Sequence, residues 1–328
     1  MAMTDSPCPT AVVTGASSFV GVHLACAFAA DGYQVIATHS RPRADYDGIQ
    51  ARRLDRAAEC CRLTQLDLTA PGALRALAEK TSPRVWVHHA GYATNYASPD
   101  YDMARAKAVN VAPLHDLFAA LSGTGAGVLI TGSSAEYSDG DAADREDDLC
   151  RPSLPYGQSK LAETDTARRL SEQFAVPCRV GRLYIPFGPL DNPRKLLAET
   201  VTALSAGRPV DLSPCTQRRD FIGIGDVTRA WRALAGDLKR GGFDIFNICA
   251  GEAIELRYLL ISVARALNAD PALLRFGARA MRPGEPTISF GDNAKARRLL
   301  DWTPRPLETA LNEDLVATDG RLSTGTST

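Results

Sequence analysis

The sequence predicts an α/β fold in which a doubly wound parallel sheet is followed by a smaller C-terminal α/β domain. From about residue 11 to 185, short runs of β-branched and other apolar residues alternate with longer helical stretches. Strands of this kind that are each followed by a helix need right-handed crossovers, and these crossovers produce a parallel sheet with helices on both faces. A chain of 328 residues also has the length of about two domains.

Six strands are predicted in the first half of the chain, because each run is apolar, short and bounded by turn residues. They are expected at 11–14, 33–38, 63–66, 84–88, 127–131 and 178–183, with helices at 18–30, 72–80, 100–121 and 155–175. After Gly188 the alternation weakens. The later helices are expected near 193–206, 226–237, 254–267 and 293–300, and the later strands near 210–212, 243–248 and 273–276.

These elements predict two domains. The first is expected over residues 1–184 and also receives about 222–252, whereas the second is expected over residues 185–328. From about residue 317 the chain is small and polar, which predicts a disordered tail.

The overall composition excludes several classes of protein. The 37 Lys and Arg residues nearly cancel the 38 Asp and Glu residues, so we expect neither nucleic acid nor an anionic membrane as a partner. No stretch has the ~18 apolar residues of a membrane span, and the first residues lack a signal-peptide pattern, so a cytoplasmic location is expected. The eight cysteines form no C-x-x-C pair and the five histidines no H-x-x-x-H pair. We therefore expect no metal site, and thiols that are buried or incidental.

The turn between the first strand and the first helix has the residues that a dinucleotide needs. Gly15 permits a tight turn, and the free N–H groups and the dipole of the helix N-terminus stabilise a pyrophosphate. Gly21, one turn into the helix, permits close packing on the sheet. The alternative is an ordinary strand–helix turn. The candidate cofactor contacts in this turn are Gly15, Ser17, Ser18, Phe19, Val20 and Gly21.

The residues after the second strand indicate the type of dinucleotide. An acidic residue at this point commonly binds the ribose 2′-hydroxyl of NAD. Here the chain has His39, Ser40 and Arg41, with no carboxylate. A guanidinium suits phosphate oxygens, so Ser40 and Arg41 favour the 2′-phosphate of NADP. The alternative is a solvated basic loop.

Two further strand ends supply candidate cofactor contacts. Asp67, beside Leu68, could accept a hydrogen bond from the adenine amine. After the fourth strand, the small residues Ala90 and Gly91 permit a cofactor to lie against the backbone, and His89 precedes them.

Tyr156 and Lys160 are the candidate catalytic pair. They open a predicted helix, and residues four apart on a helix share one face. A phenol with a pKa of about 10 is a poor base at neutral pH, but an adjacent ammonium favours the phenolate and lowers that pKa. A hydroxyl from Ser133 or Ser134 lies at the carboxyl end of the preceding strand, where a doubly wound sheet places its chemistry. The alternative is a serine-rich turn beside a surface helix.

Together these segments resemble the extended short-chain dehydrogenase/reductase (SDR) family, and within it the NAD(P)-dependent nucleotide-sugar epimerases and dehydratases. The match runs from about residue 10 to 310. Thr14 to Gly21 is similar to the family's T-G-x-x-G-x-x-G loop, although Ser18 replaces the middle glycine. The resemblance implies a Rossmann-like first domain, NAD(P) as cofactor, Asn110 as a further cofactor contact, and Lys160 as the residue that binds the nicotinamide ribose.

The second half is similar to the family's substrate-binding segments. Arg182 to Pro189 resembles R-x-x-N-x-Y-G-P, with Ile185 in place of the asparagine that contacts the diphosphate. Arg219 and Arg282 are the implied diphosphate clamp, and Glu285 is the implied ribose contact. The candidate substrate contacts are Ser133, Glu136, Tyr184, Ile185, Arg219, Arg282 and Glu285.

The resemblance implies a 4-epimerase that oxidises C4 of a nucleotide-diphosphate sugar to a transient 4-keto sugar. An NADPH-dependent 4-ketoreductase would use the same residues and is the alternative. A 4,6-dehydratase usually needs an Asp-Glu pair just after the catalytic hydroxyl, and here only Glu136 is present, one position off. A non-catalytic NAD(P)-sensing module typically lacks the pair formed by Tyr156 and Lys160. A homodimer is also implied, through the helices near 100–121 and 155–175.

Overall fold

The computed structural model describes residues 8–281 and 287–316, and its central feature is a seven-stranded sheet. The strands are β1 Thr10–Val13, β2 Gln34–His39, β3 Arg62–Gln65, β4 Val85–His88, β5 Gly127–Ser133, β6 Cys178–Leu183, β7 Ile185–Phe187, β8 Val210–Leu212, β9 Arg218–Arg219, β10 Phe221–Gly223, β11 Phe243–Ile248, β12 Ile254–Glu255, β13 Leu274–Phe276 and β14 Ile288–Ser289. The α-helices are α1 Phe19–Ala30, α2 Gly48–Ala58, α3 Ala73–Thr81, α4 Met103–Ala106, α5 Leu114–Leu121, α6 Pro155–Phe174, α7 Leu196–Ser205, α8 Ile224–Asp237, α9 Leu256–Ala266, α10 Ala294–Leu300 and α11 Leu307–Leu311.

The strand order of the central sheet confirms the predicted doubly wound α/β fold. The order is β11-β6-β5-β4-β1-β2-β3. β1 pairs in parallel with β2 and β4, and β2 with β3 and β4 with β5 are parallel as well. The direction in which the sheet grows therefore reverses between β1 and β4. Ligands of open α/β sheets bind at the carboxyl ends of the strands beside such a reversal.

The central strands are apolar because helices cover both faces of the sheet. Val12 of β1 and Trp86 of β4 have no exposed surface, and they belong to one core with Leu117 and Phe118 of α5. Polar groups that serve a ligand are thus confined to the strand ends and the loops that follow them.

Helix α2 is not predicted by the sequence pattern. It buries Leu54 and Ala57, and also the charged residue Arg53. Only Ile49 and Leu54 in this segment are large apolar residues, and this low apolar content explains why the pattern misses the helix.

The predicted helix at 100–121 is divided in the structure. α4 ends at Ala106, residues Lys107–Val111 form a π-helical turn, and α5 begins at Leu114. Pro113, which has no N–H to donate, directly precedes α5. π-helical turns are frequent at functional sites, and this one contains Asn110.

The chain separates into two compact units. The first runs to Glu136 and includes Arg151–Arg182 and Trp231–Ile245, and the second contains Tyr137–Cys150, Leu183–Ala230 and the residues from Phe246 onwards. The second unit has its own apolar core, which includes Leu259 and Leu260 of α9. The predicted disordered tail from residue 317 lies outside the described residues. Within the described part of the chain, no helix combines the length and apolarity needed to cross a membrane.

Candidate active site

The loop between β1 and α1 has a glycine where the backbone requires one. Gly15 has a φ of +83°, and a Cβ added to it would lie 3.1 Å from both N and Cα of Ala90. A Cβ added to Gly21 would lie only 2.1 Å from the carbonyl oxygen of Gly15. These close approaches leave the backbone bare at the N-terminus of α1. The cradle therefore fits the pyrophosphate of a dinucleotide, which binds to free N–H groups at a helix N-terminus.

Ser18, which replaces the family's middle glycine, is the N-cap of α1. Its φ of −88° needs no glycine. The Ser18 hydroxyl accepts a hydrogen bond from the N–H of Gly21 at 3.0 Å and donates to the carbonyl oxygen of Gly15 at 2.8 Å. Serine is among the preferred N-cap residues, so this departure from the family pattern stabilises the loop.

His89 connects this loop to the end of β5. Its Nε2 lies 2.8 Å from Ser18 Oγ, and its Nδ1 lies 3.0 Å from Thr131 Oγ1. Because the Ser18 hydroxyl proton is used on Gly15, Nε2 donates to Ser18 and Nδ1 accepts from Thr131. Burial, with a smaller effect from the Lys160 charge, lowers the pKa of His89 to about 4. The imidazole is therefore neutral at neutral pH and acts as a fixed link between three strand ends.

The residues after β2 surround the hydroxyl of Tyr46, which the sequence analysis missed. The backbone N–H groups of Ser40 and Arg41 donate to the Tyr46 hydroxyl oxygen at 3.1 and 3.2 Å. The Arg41 guanidinium lies 4.3 Å from the centre of the Tyr46 ring and donates to Gln50 at 3.0 Å. His39 is buried, with its Nδ1 at 2.7 Å from the Arg41 carbonyl oxygen. Ser40 and Arg41 themselves are exposed at this strand end.

A second residue missed from the sequence is Arg53 of α2. Its guanidinium donates to the carbonyl oxygen of Ser17 at 3.1 Å although the residue is only 6% exposed. This hydrogen bond fixes the loop between β1 and α1 to helix α2. The low apolar content of α2 hid this helix, so no local signal marked this residue.

The predicted adenine contact lies on the surface. The Asp67 carboxylate accepts from the N–H of Thr69 at 2.9 Å and from its hydroxyl at 2.7 Å. These hydrogen bonds hold the pKa of Asp67 below its usual value. The neighbouring side chain of Leu68 is buried. Asp67 is therefore ionised and exposed, as an acceptor for a ligand amine needs to be.

Asn110 supports the backbone after β4 and is not itself accessible. Its side-chain oxygen accepts from the N–H of Tyr92 at 2.7 Å, and its amide donates to the Ser159 hydroxyl at 3.2 Å. A Cβ on Gly91 would lie 3.1 Å from the same Asn110 oxygen. Because Asn110 has no exposed surface, the structure corrects the expected direct cofactor contact to a positioning role.

Tyr156 and Ser133 come together at the carboxyl end of β5. The Ser133 hydroxyl is close enough to the Tyr156 phenol to lower its pKa, although this effect is smaller than that of burial. Ser134 begins the short 3₁₀ turn that follows. The rings of Tyr96 and Tyr101 both lie edge-on to the Tyr156 ring, with centroids 5.7 Å away. Of the two candidate serines, the structure brings Ser133 to the phenol.

The pKa of Tyr156 differs from the expectation in its net direction. Burial raises the pKa of Tyr156, and the opposing effects of the Lys160 charge and the Ser133 hydroxyl are smaller. The ammonium does favour the phenolate as predicted, but the predicted net lowering is wrong for the protein by itself, because desolvation penalises the charged phenolate more strongly.

Lys160 forms a buried ion pair with Glu163, one helical turn further along α6. Lys160 is 8% exposed and Glu163 1% exposed. Burial lowers the pKa of Lys160, but the acidic groups around it, Glu163 foremost with Tyr156 and Glu136, together raise it above its usual value, so the ammonium stays protonated. Burial in turn raises the pKa of Glu163 to about 7. The spacing of three residues between a lysine and a glutamate on a helix was a sequence signal for this pair.

Glu136 lies in the interior, which differs from the expected substrate contact. It has no exposed surface, and its carboxylate accepts from the N–H of Ser133 at 2.8 Å, from Thr164 Oγ1 at 2.9 Å and from Arg182 Nε at 2.9 Å. A carboxylate held in this way fixes the end of β5. Glu136 is therefore a positioning residue for Ser133.

Within the second unit, the predicted substrate contacts differ in their solvent exposure. Ile185 is 37% exposed and Arg219 is half-buried. Tyr184 is buried and its hydroxyl donates to Asp144 at 2.8 Å, so the structure gives it a packing role instead of the expected substrate contact. Arg282 and Glu285 lie outside the described residues.

Asp220, which follows Arg219, has a role that the sequence analysis missed. Its carboxylate accepts from the N–H groups of Ala250 at 2.7 Å and Gly251 at 2.9 Å, while burial raises its pKa to about 6. The carboxylate anchors the backbone that follows β11.

Comparison with known proteins identifies the family of the chain. Residues 11–249 match the model of the NAD dependent epimerase/dehydratase family. The chain is 26% identical over 321 residues to a dTDP-4-dehydro-6-deoxy-D-allose reductase of Streptomyces bikiniensis, covering 93% of this chain and 94% of that protein. It is 25% identical over 315 residues to a UDP-glucose 4-epimerase of Mycolicibacterium smegmatis, covering 94% and 96% of the two chains.

A solved structure has the same architecture. MoeE5 in complex with UDP-glucose and NAD is 25% identical, with a TM-score of 0.77 over 95% of this chain and 99% of MoeE5. The relatives include both an epimerase and a reductase, so the similarity establishes the class of enzyme. It does not decide between epimerisation and reduction.

Proposed function

Because the chain belongs to the NAD-dependent epimerase/dehydratase family of extended SDR enzymes, we propose that it is a nucleotide-sugar 4-epimerase acting through a transient 4-keto sugar. The observation that carries the proposal is that the Ser133 hydroxyl and the charged Lys160 both lie close enough to the Tyr156 phenol to favour its phenolate. A hydroxyl pair of this kind can hold one sugar oxygen and exchange its proton.

Each residue has a separate task in the proposed reaction. Ser133 donates to the C4 oxygen of the sugar, and Tyr156 removes and later returns the proton of that oxygen. Lys160 keeps its charge near the phenolate and binds the nicotinamide ribose. A bound nicotinamide supplies the hydride chemistry, and the protein contributes positioning and electrostatics. Rotation of the keto sugar before the reverse step inverts C4, so the reaction is redox-neutral.

The proposed substrate is a nucleoside-diphosphate sugar. The solved MoeE5 structure holds UDP-glucose, and a relative is named for UDP-glucose epimerisation. We assign the diphosphate to Arg219 and Arg282 and the nucleotide ribose to Glu285, while the exposed Ile185 occupies the position of the asparagine that contacts the diphosphate in the family. Arginines suit this task because a guanidinium binds phosphate oxygens bidentately.

We further propose that the protein accepts NADP in preference to NAD. The supporting observation is the exposed pair of Ser40 and Arg41 at the end of β2, with no carboxylate among residues 38–43. The hydroxyl and the guanidinium can bind a 2′-phosphate, whereas a carboxylate would repel it.

The same observation favours a second candidate, an NADPH-dependent 4-ketoreductase. The relative from Streptomyces bikiniensis is named as a reductase of a 4-keto sugar, and Tyr156 would then act as the acid that protonates the new hydroxyl. A 4,6-dehydratase is disfavoured, because Ser134 and Ala135 occupy the positions of the usual acid pair and Glu136 is buried. A non-catalytic sensor is disfavoured by the presence of Tyr156 and Lys160.

Cofactor stoichiometry separates the two candidates. We would incubate the protein with UDP- and dTDP-linked hexoses and catalytic NAD or NADP, and follow the sugar isomers by NMR and the reduced cofactor at 340 nm. In a second reaction we would supply a UDP- or dTDP-linked 4-keto hexose together with NADPH and follow the absorbance at 340 nm. Interconversion of 4-epimers without net loss of absorbance supports the epimerase. Stoichiometric oxidation of NADPH by a 4-keto sugar supports the reductase and overturns the epimerase.

Tyr156→Phe is the matched variant for this assay. It keeps the ring contacts with Tyr96 and Tyr101 and removes only the hydroxyl, so a loss of about 10²–10⁴-fold in turnover is expected. Full activity of this variant with a folded protein would exclude Tyr156 as the proton carrier in either reaction.

The protein is also proposed to form a homodimer through α4, α5 and α6. Met103 is 39% exposed, and Val109 and Leu161 are only half-buried within the same region. A second copy would cover these apolar groups. Light scattering at micromolar concentration tests this proposal, and a monomeric mass would contradict it.

A further inference from the structure

Three of the eight cysteines form one cluster at the surface of the first unit. Cys26 lies on α1, and Cys60 and Cys61 follow the end of α2. The Cys60 sulfur lies 3.0 Å from the Cys26 sulfur and 3.5 Å from the Cys61 sulfur. Cys60 is exposed, and the other two are half-buried. The expectation that these thiols are incidental does not account for this arrangement.

We propose that the three cysteines form a peroxide-sensitive redox site, in which Cys26 is oxidised first and Cys60 then closes a disulfide with it. This site is independent of the nucleotide-sugar chemistry proposed above, since none of its atoms belongs to the cofactor loop or to the Tyr156 site.

The surroundings of Cys26 favour its thiolate. A hydrogen bond from Cys61 lowers the pKa of Cys26 to about 6, burial opposes the shift, and a hydrogen bond from Cys60 adds to it. The positive charge of Arg56 also lowers this pKa, while the carboxylate of Glu59 raises it. The thiolate is the form of cysteine that reacts with peroxides, so Cys26 is the thiol of the cluster that is attacked first.

The steps balance with hydrogen peroxide as the oxidant. The Cys26 thiolate attacks one peroxide oxygen, the O–O bond breaks, and hydroxide leaves, which gives a sulfenic acid at Cys26. The Cys60 sulfur then attacks the Cys26 sulfur, and the oxygen bound to Cys26 leaves as water with the proton of Cys60, while the hydroxide of the first step takes up the proton that Cys26 released on ionisation. Overall, two thiols and one peroxide give one disulfide and two water molecules.

The pair formed by Cys26 and Cys60 is better suited to a disulfide than the pair formed by Cys60 and Cys61. The sulfurs of Cys26 and Cys60 need to approach by only about 1 Å to reach bonding distance. A disulfide between Cys60 and Cys61 would join adjacent residues, whose Cα atoms are about 3.8 Å apart, below the usual range of about 4.4–6.8 Å. Cys61 instead acts on Cys26 by lowering the pKa of its thiol.

The disulfide would tie α1 to the end of α2. α1 begins at the cofactor loop, and α2 carries Arg53, whose guanidinium donates to the Ser17 carbonyl oxygen. Oxidation therefore constrains the two helices that hold this loop.

Thiol counting by mass spectrometry tests the proposal. The reduced full-length protein would be treated with hydrogen peroxide, quenched with catalase, denatured and alkylated with N-ethylmaleimide. The expected result is a loss of two alkylated thiols, from eight to six, with a cross-link that contains Cys26. A count that stays at eight under conditions that oxidise glutathione, or a cross-link between other cysteines, overturns it.

Matched variants identify the reacting pair. Cys26→Ser and Cys60→Ser are each expected to abolish the loss of two thiols, whereas Cys61→Ser retains it. Cys8→Ser is the control at an exposed cysteine outside the cluster, and it is expected to form the disulfide as the parent protein does. The Cys8→Ser variant also shows which cysteine is cross-linked in peptide mapping, because Cys8 and Cys26 share one tryptic peptide.

A second measurement needs no variant and so does not depend on whether the serine variants fold. Substoichiometric iodoacetamide is expected to label Cys26 before the other seven cysteines, because alkylation also requires the thiolate. Preferential labelling of another cysteine would exclude Cys26 as the reactive thiol.

Discussion

Replacing Glu136 by glutamine tests whether this residue fixes the end of β5 from the interior or faces the substrate. Both carboxylate oxygens accept hydrogen bonds, one from the Ser133 N–H and the other from Thr164 and Arg182. A glutamine of the same shape has only one acceptor oxygen, so its NH₂ group must face one of these donors. The substitution also leaves the Arg182 guanidinium, which is 2% exposed, without its carboxylate.

The structure indicates a large cost for this single change. Removing one partner of a buried ion pair typically costs about 3–5 kcal/mol, because the remaining charge stays desolvated. For a cooperative unit of this size, that cost corresponds to a fall of roughly 6–20 °C in the unfolding midpoint. We also expect kcat to fall by about 10²-fold, because glutamine either loses the Ser133 N–H or loses the Thr164 and Arg182 donors that hold the side chain under Ser133, whereas KM should remain unchanged.

Glu59→Gln is the matched control for Glu136→Gln. Glu59 also pairs with an arginine, but the side chains of Arg56 and Glu59 are 55% and 61% exposed. An exposed pair of this kind contributes about 0–1 kcal/mol, so its loss should leave the midpoint almost unchanged. Calorimetry and steady-state kinetics on both variants provide the comparison. Equal midpoints for the two variants, together with a raised KM for Glu136→Gln, would refute the interior role and restore the substrate contact.

Three further predictions follow from other parts of the first unit. Gly21→Ala places a Cβ 2.1 Å from the Gly15 oxygen and should weaken cofactor binding by about 1–3 kcal/mol in calorimetry, whereas Gly236→Ala, with no atom within 4 Å, should not. Burial lowers the pKa of His88 to about 3 in the folded protein, whereas in the unfolded chain the pKa is about 6.5. As the pH falls below about 6.5, His88 becomes protonated in the unfolded chain before it does in the folded protein, so stability is lost toward acid pH. Between pH 7.5 and 5 this loss is about 2 kcal/mol, and His88→Phe should remove it from urea unfolding curves; the same pH dependence in both proteins would contradict the assignment. Ser40→Asp introduces the carboxylate that β2 lacks and should raise the ratio of NAD to NADP affinity by at least about tenfold in fluorescence titrations, and an unchanged ratio would remove the basis for the NADP preference.

The cofactor half of the site was largely predictable because it depends on short segments. Gly15 and Gly21 lie in one turn, and Tyr156 and Lys160 lie on one helix, so their relation follows from local backbone geometry. The same holds for the alternation of strands and helices. The segments that were missed, such as α2, contain few large apolar residues.

The sequence by itself determined the fold class, the cofactor turn and the pairing of the phenol with the ammonium, since each is encoded within a few consecutive residues. Only the tertiary structure decided that Ser133 lies beside the phenol and that Glu136 and Asn110 are buried. It also decided which other charged side chains lie in the interior. It also brought His89 to Ser18 across 71 residues and Cys60 to Cys26 across 34. Such contacts depend on how distant strands and helices pack, and no local pattern specifies which side of a strand end or helix will meet a partner far away in the chain.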